Sequence, residues 1–587
     1  MIQVCKKFEE ITSSHPKIMI SLFLLSFVLL LGRTAFSFVD INDDWLLGGI
    51  LPYFLLFVVL YSVVACSVTD LKLVAFITAL FMVAVNCVPN LKYTFIYGYY
   101  DSLPHYGFVQ GIMNVGHIPA TAFYSIQYGA APGLHIFLSS LAIVSGGSAV
   151  YAFKLFLTLY PSTFPLLLYF VTKRIKAPTL LSKATLISVA VISPVIYPYT
   201  GTSAVFFLYV PFLYIGILLI AARNSLPNVR AFLILDTLLA LSIVISHDVT
   251  TFLLLGFFLS ALIVSTVRKV VAGRSLDLFP YTVALGFVII ALSHLLFSSD
   301  ANFDTFLNLI FNSIQSLFQG STPLAVSYYQ GFYILSLKDQ LLVYVAKWGM
   351  YTVAVALTVS ALVFVRFRMK QNETRKFYNL LVFPLLFPLF VLLLSLFVRA
   401  FNDRFFYYFL AFVPFFAGLT FYKTVYSRSH RLNNVFLSLA VLSLILITSF
   451  QRYPPQPLFP LITSEYGRYA VVDWRQVNTI YDRSLIAFAS GHITNRSIAT
   501  DNPMRWQIYG LTDIQFQRLL TWDNPVLDES VNAPLVFVSP GTTAHIIASG
   551  KDAIRYHEYI DVAVEIDDLL YTNGQSYILQ NFTSRNR

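Results

Sequence analysis

The chain has 587 residues, 57% of them hydrophobic and only 12% charged, with a mean hydropathy of +0.70. A soluble protein carries roughly 25% charged residues, so a water-soluble globular fold is excluded and the excess apolar surface must meet lipid. The net charge of +10 is assigned to Lys and Arg in cytoplasmic loops, not to nucleic-acid binding.

Residues 1–17 are basic and precede an apolar run, Ile18 to Leu31. The run is long and further spans follow at once, so it is read as an uncleaved first span rather than a signal peptide. A span needs about 20 mostly apolar residues. On that criterion the spans fall at 18–37, 46–66, 71–88, 149–172, 183–198, 202–222, 228–246, 250–268, 279–297, 341–366, 378–399, 404–424 and 433–450. The fold expected is an all-α polytopic membrane bundle of about 13 helices, occupying residues 1–450. Its basic loops are Thr172 to Lys176, Ala222 to Arg230, Arg268 to Arg274, Arg366 to Lys376 and Lys423 to Arg431. All five fall on one side of the count, together with Lys6 and Lys7, which places the N-terminus in the cytoplasm. The same count puts four irregular segments outside: a loop at 89–148, the turn Ser246-His247-Asp248, a loop at 298–340, and the turn from Arg399 to Arg404. Leu134 to Val144, in the first loop, is apolar but too short to cross, and is read as re-entrant or lying along the surface.

After Phe450 the character changes. Pro454-Pro455-Gln456-Pro457 is a stiff connector. Residues 451–587 read as a small extracytoplasmic α/β domain, with strands at 497–500 and 535–538 and a hairpin around Asn573-Gly574. Cys5, Cys66 and Cys87 suggest neither a disulfide framework nor a metal site.

Candidate chemistry gathers on the outer side. Asp101 lies in an aromatic-walled stretch, Tyr97 to Gly107, that includes Tyr100 and His105. A carboxylate there can hold an acceptor hydroxyl and take its proton; the plainer role is a helix cap. Arg399 and Arg404 bracket an outer turn, and Lys154 and Lys347 lie inside spans near their outer ends. A cation at such a depth needs a compensating group. A lipid phosphate would serve, as would snorkelling or an internal pair. His247-Asp248 can orient a phosphate or an acceptor, or form a hydrogen-bonded turn. His105, His117 and His135 match no zinc spacing.

Several of these stretches together resemble the GT-C superfamily of membrane glycosyltransferases, near the protein O-mannosyltransferase and aminoarabinose transferase branch. They are Asp101 with His105, Tyr128-Gly-Ala-Ala-Pro-Gly-Leu-His-Ile136 followed by Leu141 to Gly147, Ser246-His-Asp-Val-Thr-Thr251, and Arg404 ahead of an aromatic run. The sequence departs from oligosaccharyltransferase subunits: in place of Trp-Trp-Asp-Tyr-Gly the nearest string is Val471-Val-Asp-Trp-Arg475, and the first loop lacks Asp-x-Asp. Both departures argue against en bloc transfer to Asn and against an obligatory divalent metal.

The resemblance implies a sugar carried on a polyprenyl (dolichyl or undecaprenyl) phosphate in the outer leaflet, and no required cofactor. It implies Asp101 as catalytic base toward a glycan, lipid or protein hydroxyl, in a single inverting displacement. Arg404, Arg399, Lys347, Lys154 and His247 would hold the lipid phosphate, while His105, Tyr100 and Asp248 would position the acceptor or the loop. The rival readings are a flippase or transporter of lipid-linked glycans, an O-antigen-type ligase or polymerase, and a purely structural membrane scaffold.

Overall fold

The computed structural model describes residues 16–36, 50–92, 102–118, 131–192, 200–221, 229–272, 281–299, 303–304, 307–308, 311, 315, 352–361, 408, 410–425 and 437–445, and the strands 497–500, 515–518, 535–538, 568–572 and 577–580. The helices are α1 (Pro16–Phe36), α2 (Leu51–Ser67), α3 (Leu71–Lys92), α4 (Ser102–Val115), α5 (Gly133–Val144), α6 (Ala149–Leu159), α7 (Thr163–Arg174), α8 (Thr179–Ile192), α9 (Thr200–Ala221), α10 (Val229–Val244), α11 (Asp248–Ala272), α12 (Tyr281–Phe297), α13 (Thr352–Ala361) and α14 (Val413–Val425). A further helical stretch covers 437–445.

Among the described residues three helices are long and apolar enough to cross a membrane: Pro16–Ala35, Leu71–Val88 and Ala149–Arg174. The last runs through α6, a single 3-10 turn (Tyr160–Ser162) and α7. Shorter apolar helices lie within most of the other expected spans; the expected span at 378–399 falls outside the described residues. Together with the composition, these helices make the chain a membrane protein.

The helices are held by interlocked aromatic rings and satisfied hydroxyls. Phe57 stacks on Phe23 at 5.2 Å and on Phe81 at 5.6 Å, and Tyr61 lies 4.2 Å from Phe81, which locks α1, α2 and α3 together. The Tyr61 hydroxyl reaches Thr78 Oγ1 across that seam at 3.1 Å. Phe212, Phe258 and Phe287 make the equivalent contact between α9, α11 and α12. Inside the helices Thr34, Ser62, Thr78, Thr185 and Ser188 donate to the carbonyl four residues back. Such bonds satisfy a hydroxyl where no water can. Gly418 allows α14 to lie against Thr185 of α8, because a Cβ there would come within 2.7 Å of the Thr185 Cα.

The loop expected at 89–148 is not irregular throughout. It contains two helices, α4 and α5. The α4 sequence hides its periodicity behind Pro104, Gly107 and Gly111, residues that ordinarily punctuate helices.

The C-terminal strands are β1 (Ser497–Thr500), β2 (Gln515–Arg518), β3 (Leu535–Val538), β4 (Asp568–Thr572) and β5 (Tyr577–Gln580). They form one mixed sheet in the order β2-β1-β3-β5-β4. β1 pairs in parallel with both β2 and β3, so each of those pairings needs a crossover. β3–β5 and β4–β5 are antiparallel, with a register shift between Leu569 and Tyr571. β1 and β3 coincide with the two strands read from the sequence, and β4 and β5 flank Asn573-Gly574.

Candidate functional site

The described part of the site is a polar layer built where α4, α5 and α11 begin and α10 ends. The turn between α10 and α11 is Ile245-Ser246-His247. His247 caps α11: its Nδ1 accepts from the Thr250 backbone N–H at 3.2 Å. The Thr250 hydroxyl lies 2.9 Å from the same nitrogen and is in turn in short contact with the Tyr408 hydroxyl. A nitrogen that accepts a backbone N–H carries no proton of its own. The geometry therefore puts the His247 proton on Nε2 and orders the chain from Tyr408 through Thr250 to His247. Tyr408 is buried and meets Tyr209 edge-on at 5.1 Å.

Asp248 opens α11, where a carboxylate is favoured by the helix dipole. Ser299 donates to its Oδ2 at 2.6 Å, and His294 Nε2 lies 3.0 Å from Oδ1. Both oxygens are thus engaged, which holds the carboxylate in place at the head of α11.

The second node is His105 of α4 with His135 of α5. His105 Nδ1 and His135 Nε2 are 2.8 Å apart and both rings are buried. A hydrogen bond between two imidazoles needs one donor and one acceptor, so the two rings cannot both be fully protonated while it lasts. Phe108 covers the His135 ring at 4.8 Å. Ser139 donates to His135 O at 2.6 Å and to Val109 O at 3.3 Å, clamping α5 along α4.

The first turn of α5 joins the two nodes. Gly133 N–H donates to Ile245 O at 2.8 Å. A Cβ at Gly133 would stand 2.6 Å from Ser246 Oγ, so only glycine permits this approach. His105, His135, His247, His294 and Asp248 are thereby held near one level of an otherwise apolar bundle.

Of the residues expected from the sequence, the structure brings His105, His247 and Asp248 to this layer. Lys154 sits half-buried on α6, within electrostatic range of Cys87 on α3. One turn further along α6, Thr158 accepts a hydrogen bond from Asn90 of α3 at 3.0 Å. Asp101, Tyr100, Lys347, Arg399 and Arg404 lie outside the described residues. Sequence reasoning missed His294, Ser299, Thr250 and Tyr408. His294 is the one signal available, a histidine in the last turn of an apolar helix; nothing in its spacing pairs it with Asp248. Among the described residues no group of three or more His, Cys, Asp or Glu could hold a metal ion.

No protein-family model matches this sequence, and no curated protein matches it. Among solved structures, two crystal structures of the Archaeoglobus fulgidus oligosaccharyltransferase are similar, each with a TM-score of 0.47. One is a complex with Zn and sulfate, at 13% identity over 86% of this chain and 73% of the other. The second is tethered by a disulfide bond to an acceptor peptide containing the NVT sequon, at 10% identity over 87% of this chain and 74% of the other.

Proposed function

We propose that this chain is a membrane glycosyltransferase that moves a sugar from a polyprenyl-phosphate donor to an acceptor hydroxyl on the non-cytoplasmic face. The observation that supports this reading is the polar layer joined by Gly133, which gathers four histidines and a carboxylate bonded at both oxygens inside an apolar helical frame. An apolar core would hold such helices together with no need for partnered polar groups, so a scaffold alone gives no reason for the layer, whereas histidines can bind and orient a polar ligand.

In the proposed reaction Asp101, which precedes α4 in sequence, accepts the proton of the acceptor hydroxyl. The freed oxygen attacks the anomeric carbon and forms the new glycosidic bond. The bond from that carbon to the lipid phosphate oxygen breaks with inversion, and polyprenyl phosphate departs. Arg404, Arg399, Lys347 and Lys154, with the Nε2–H of His247, stabilise the negative charge on the departing phosphate. His105 and Tyr100 position the acceptor side, and residues 451–587 help select the acceptor.

The test is direct. The purified protein and its Asp101→Asn variant are supplied with undecaprenyl- and dolichyl-phosphate hexoses and pentoses together with membrane lipid, glycan and peptide extracts as hydroxyl acceptors, and release of lipid phosphate is followed. Loss of a general base lowers turnover by roughly 10²–10⁴-fold. Equal turnover by both proteins removes Asp101 from the mechanism, and no release from any such donor removes the reading as a whole.

A further inference from the structure

The geometry points to α5 being a half-spanning helix sunk in one leaflet, with Ile136 and Phe137 facing lipid hydrocarbon and Ile143 and Val144 at its water-side boundary. The inference does not depend on the reaction proposed above.

At 12 residues, α5 is about 18 Å long, well short of the roughly 30 Å of a bilayer's hydrocarbon core. Its C-terminus turns directly into α6 through Ser145-Gly146-Gly147-Ser148. Gly146 adopts φ +62, Gly147 N–H donates to Ala142 O, and the Ser148 hydroxyl accepts from the Tyr151 N–H. A linker this short makes the two helices antiparallel neighbours. Phe137 and Phe156, each eight residues from that turn, meet edge-on at 5.5 Å. Running back along α6, α5 therefore descends beside it instead of lying across its end.

The rod formed by α6 and α7 gives the depth. Its exposed residues Tyr151, Leu155, Leu159, Leu166 and Phe170 make one apolar stripe. Lys173 and Arg174 close the rod at one end, and Tyr151, 70% exposed, marks the other. Tyr151 to Lys173 spans about 33 Å of helix, which matches the hydrocarbon thickness with an interfacial Tyr at one side and basic residues at the other. With Tyr151 at that boundary, the antiparallel pairing sets Val144 beside Ala149 and Ile136 beside Leu157. His135 then lies about 10 Å deeper than Tyr151. From Ala131 to Phe153 there is no Asp, Glu, Lys or Arg. The outward side of α5 is Ile136, Phe137, Ser140, Ile143 and Val144, apolar but for one hydroxyl of a kind that a helix's own carbonyls can satisfy, with Val144 86% exposed, and it continues the lipid-facing stripe of α6. Neither a helix resting on the surface nor a hairpin standing in water accounts for this combination.

The experiment places nitroxide labels at Ile136, Phe137, Ile143 and Val144, one at a time, in the full chain with Cys5, Cys66 and Cys87 replaced by Ser, reconstituted in nanodiscs. Collision rates with oxygen and with a water-soluble nickel chelate are compared, with Phe170 as the lipid-facing reference. The oxygen-to-nickel ratio should be several-fold higher at Ile136 and Phe137 than at Ile143 and Val144. Equal ratios at all four sites, as for an in-plane helix, overturn the inference, as does a nickel excess at Ile136 or Phe137. Should the cysteine-free chain fail to fold, Trp at the same four positions, quenched by lipids brominated at different depths, reads the same gradient.

Discussion

Gly418→Ala tests the tightest glycine contact among the described residues. The new methyl would lie 2.2 Å from Thr185 Oγ1, 2.7 Å from its Cα and 2.9 Å from its Cβ. Carbon atoms sit best at about 3.5–4.0 Å, so α8 and α14 must part by about 1 Å. Rotation of Thr185 gives no relief, since its hydroxyl is bonded to Leu181 O at 2.8 Å and its Cα cannot move without the helix. Overpacking of this kind costs typically about 1–3 kcal/mol. Replacing a helical Gly by Ala also returns about 1 kcal/mol of backbone propensity, which would mask part of the loss. Gly286 supplies the control: it lies in α12, and nothing stands within 4 Å of a Cβ built there. The propensity term is common to both substitutions, so Gly418→Ala should be less stable than Gly286→Ala by about 1–3 kcal/mol. Reversible unfolding of both variants by SDS in mixed micelles measures that difference. If Gly418→Ala is as stable as Gly286→Ala, the contact between α8 and α14 is not as close as described.

Two further outcomes concern the polar layer. Gly133→Ala pushes a methyl into Ser246 Oγ at 2.6 Å and Ile245 O at 3.0 Å. It should open the junction between α5 and the α10–α11 turn, seen as faster hydrogen exchange at the Gly133 amide and in residues 245–251, with α1–α3 unaffected. Asp248→Ala leaves Ser299 and His294 without their shared acceptor and should cost about 1.5–3 kcal/mol, as for hydrogen bonds to a charged group. Asp248→Asn keeps one acceptor oxygen and should recover part of that loss in the same unfolding assay.

What the sequence makes legible follows from range of interaction. Apolar length alone marks α1, α3 and the α6–α7 rod, and short runs with β-branched or aromatic residues mark β1 and β3, because each signal is local. The extra helix α4 is obscured because Pro104, Gly107 and Gly111 break up its apolar pattern. His247 and Asp248 stand out in sequence as polar residues between two apolar runs. Their partners do not: His294 and Ser299 lie 46 and 51 residues from Asp248, and Tyr408 lies 158 residues from Thr250. Such pairings arise from which helices become neighbours, and composition carries no record of that. The same holds for Gly133, whose requirement for a missing side chain becomes visible only once Ser246 is set against it.

One residue remains outside every local rule. Asp236 lies near the middle of α10, fully buried, and neither carboxyl oxygen has a hydrogen-bond partner among the described residues. Leu235 and Leu238 of the same helix are exposed, so a lipid-facing position was one residue away and the interior one is occupied instead. Leaving a buried polar group unsatisfied costs about 1–3 kcal/mol. Replacement by an apolar residue of similar size removes that cost without opening a cavity. Asp236→Leu should therefore raise stability by about 1–3 kcal/mol in SDS unfolding. Asp236→Asn, which leaves a polar group in the same place, should gain little. If Asp236→Leu instead destabilises by a comparable amount, the carboxyl has a partner in the folded protein and belongs with the bonded groups of the polar layer. If the gain is found, this carboxyl costs the fold stability, and its retention points to a use other than holding the helices together.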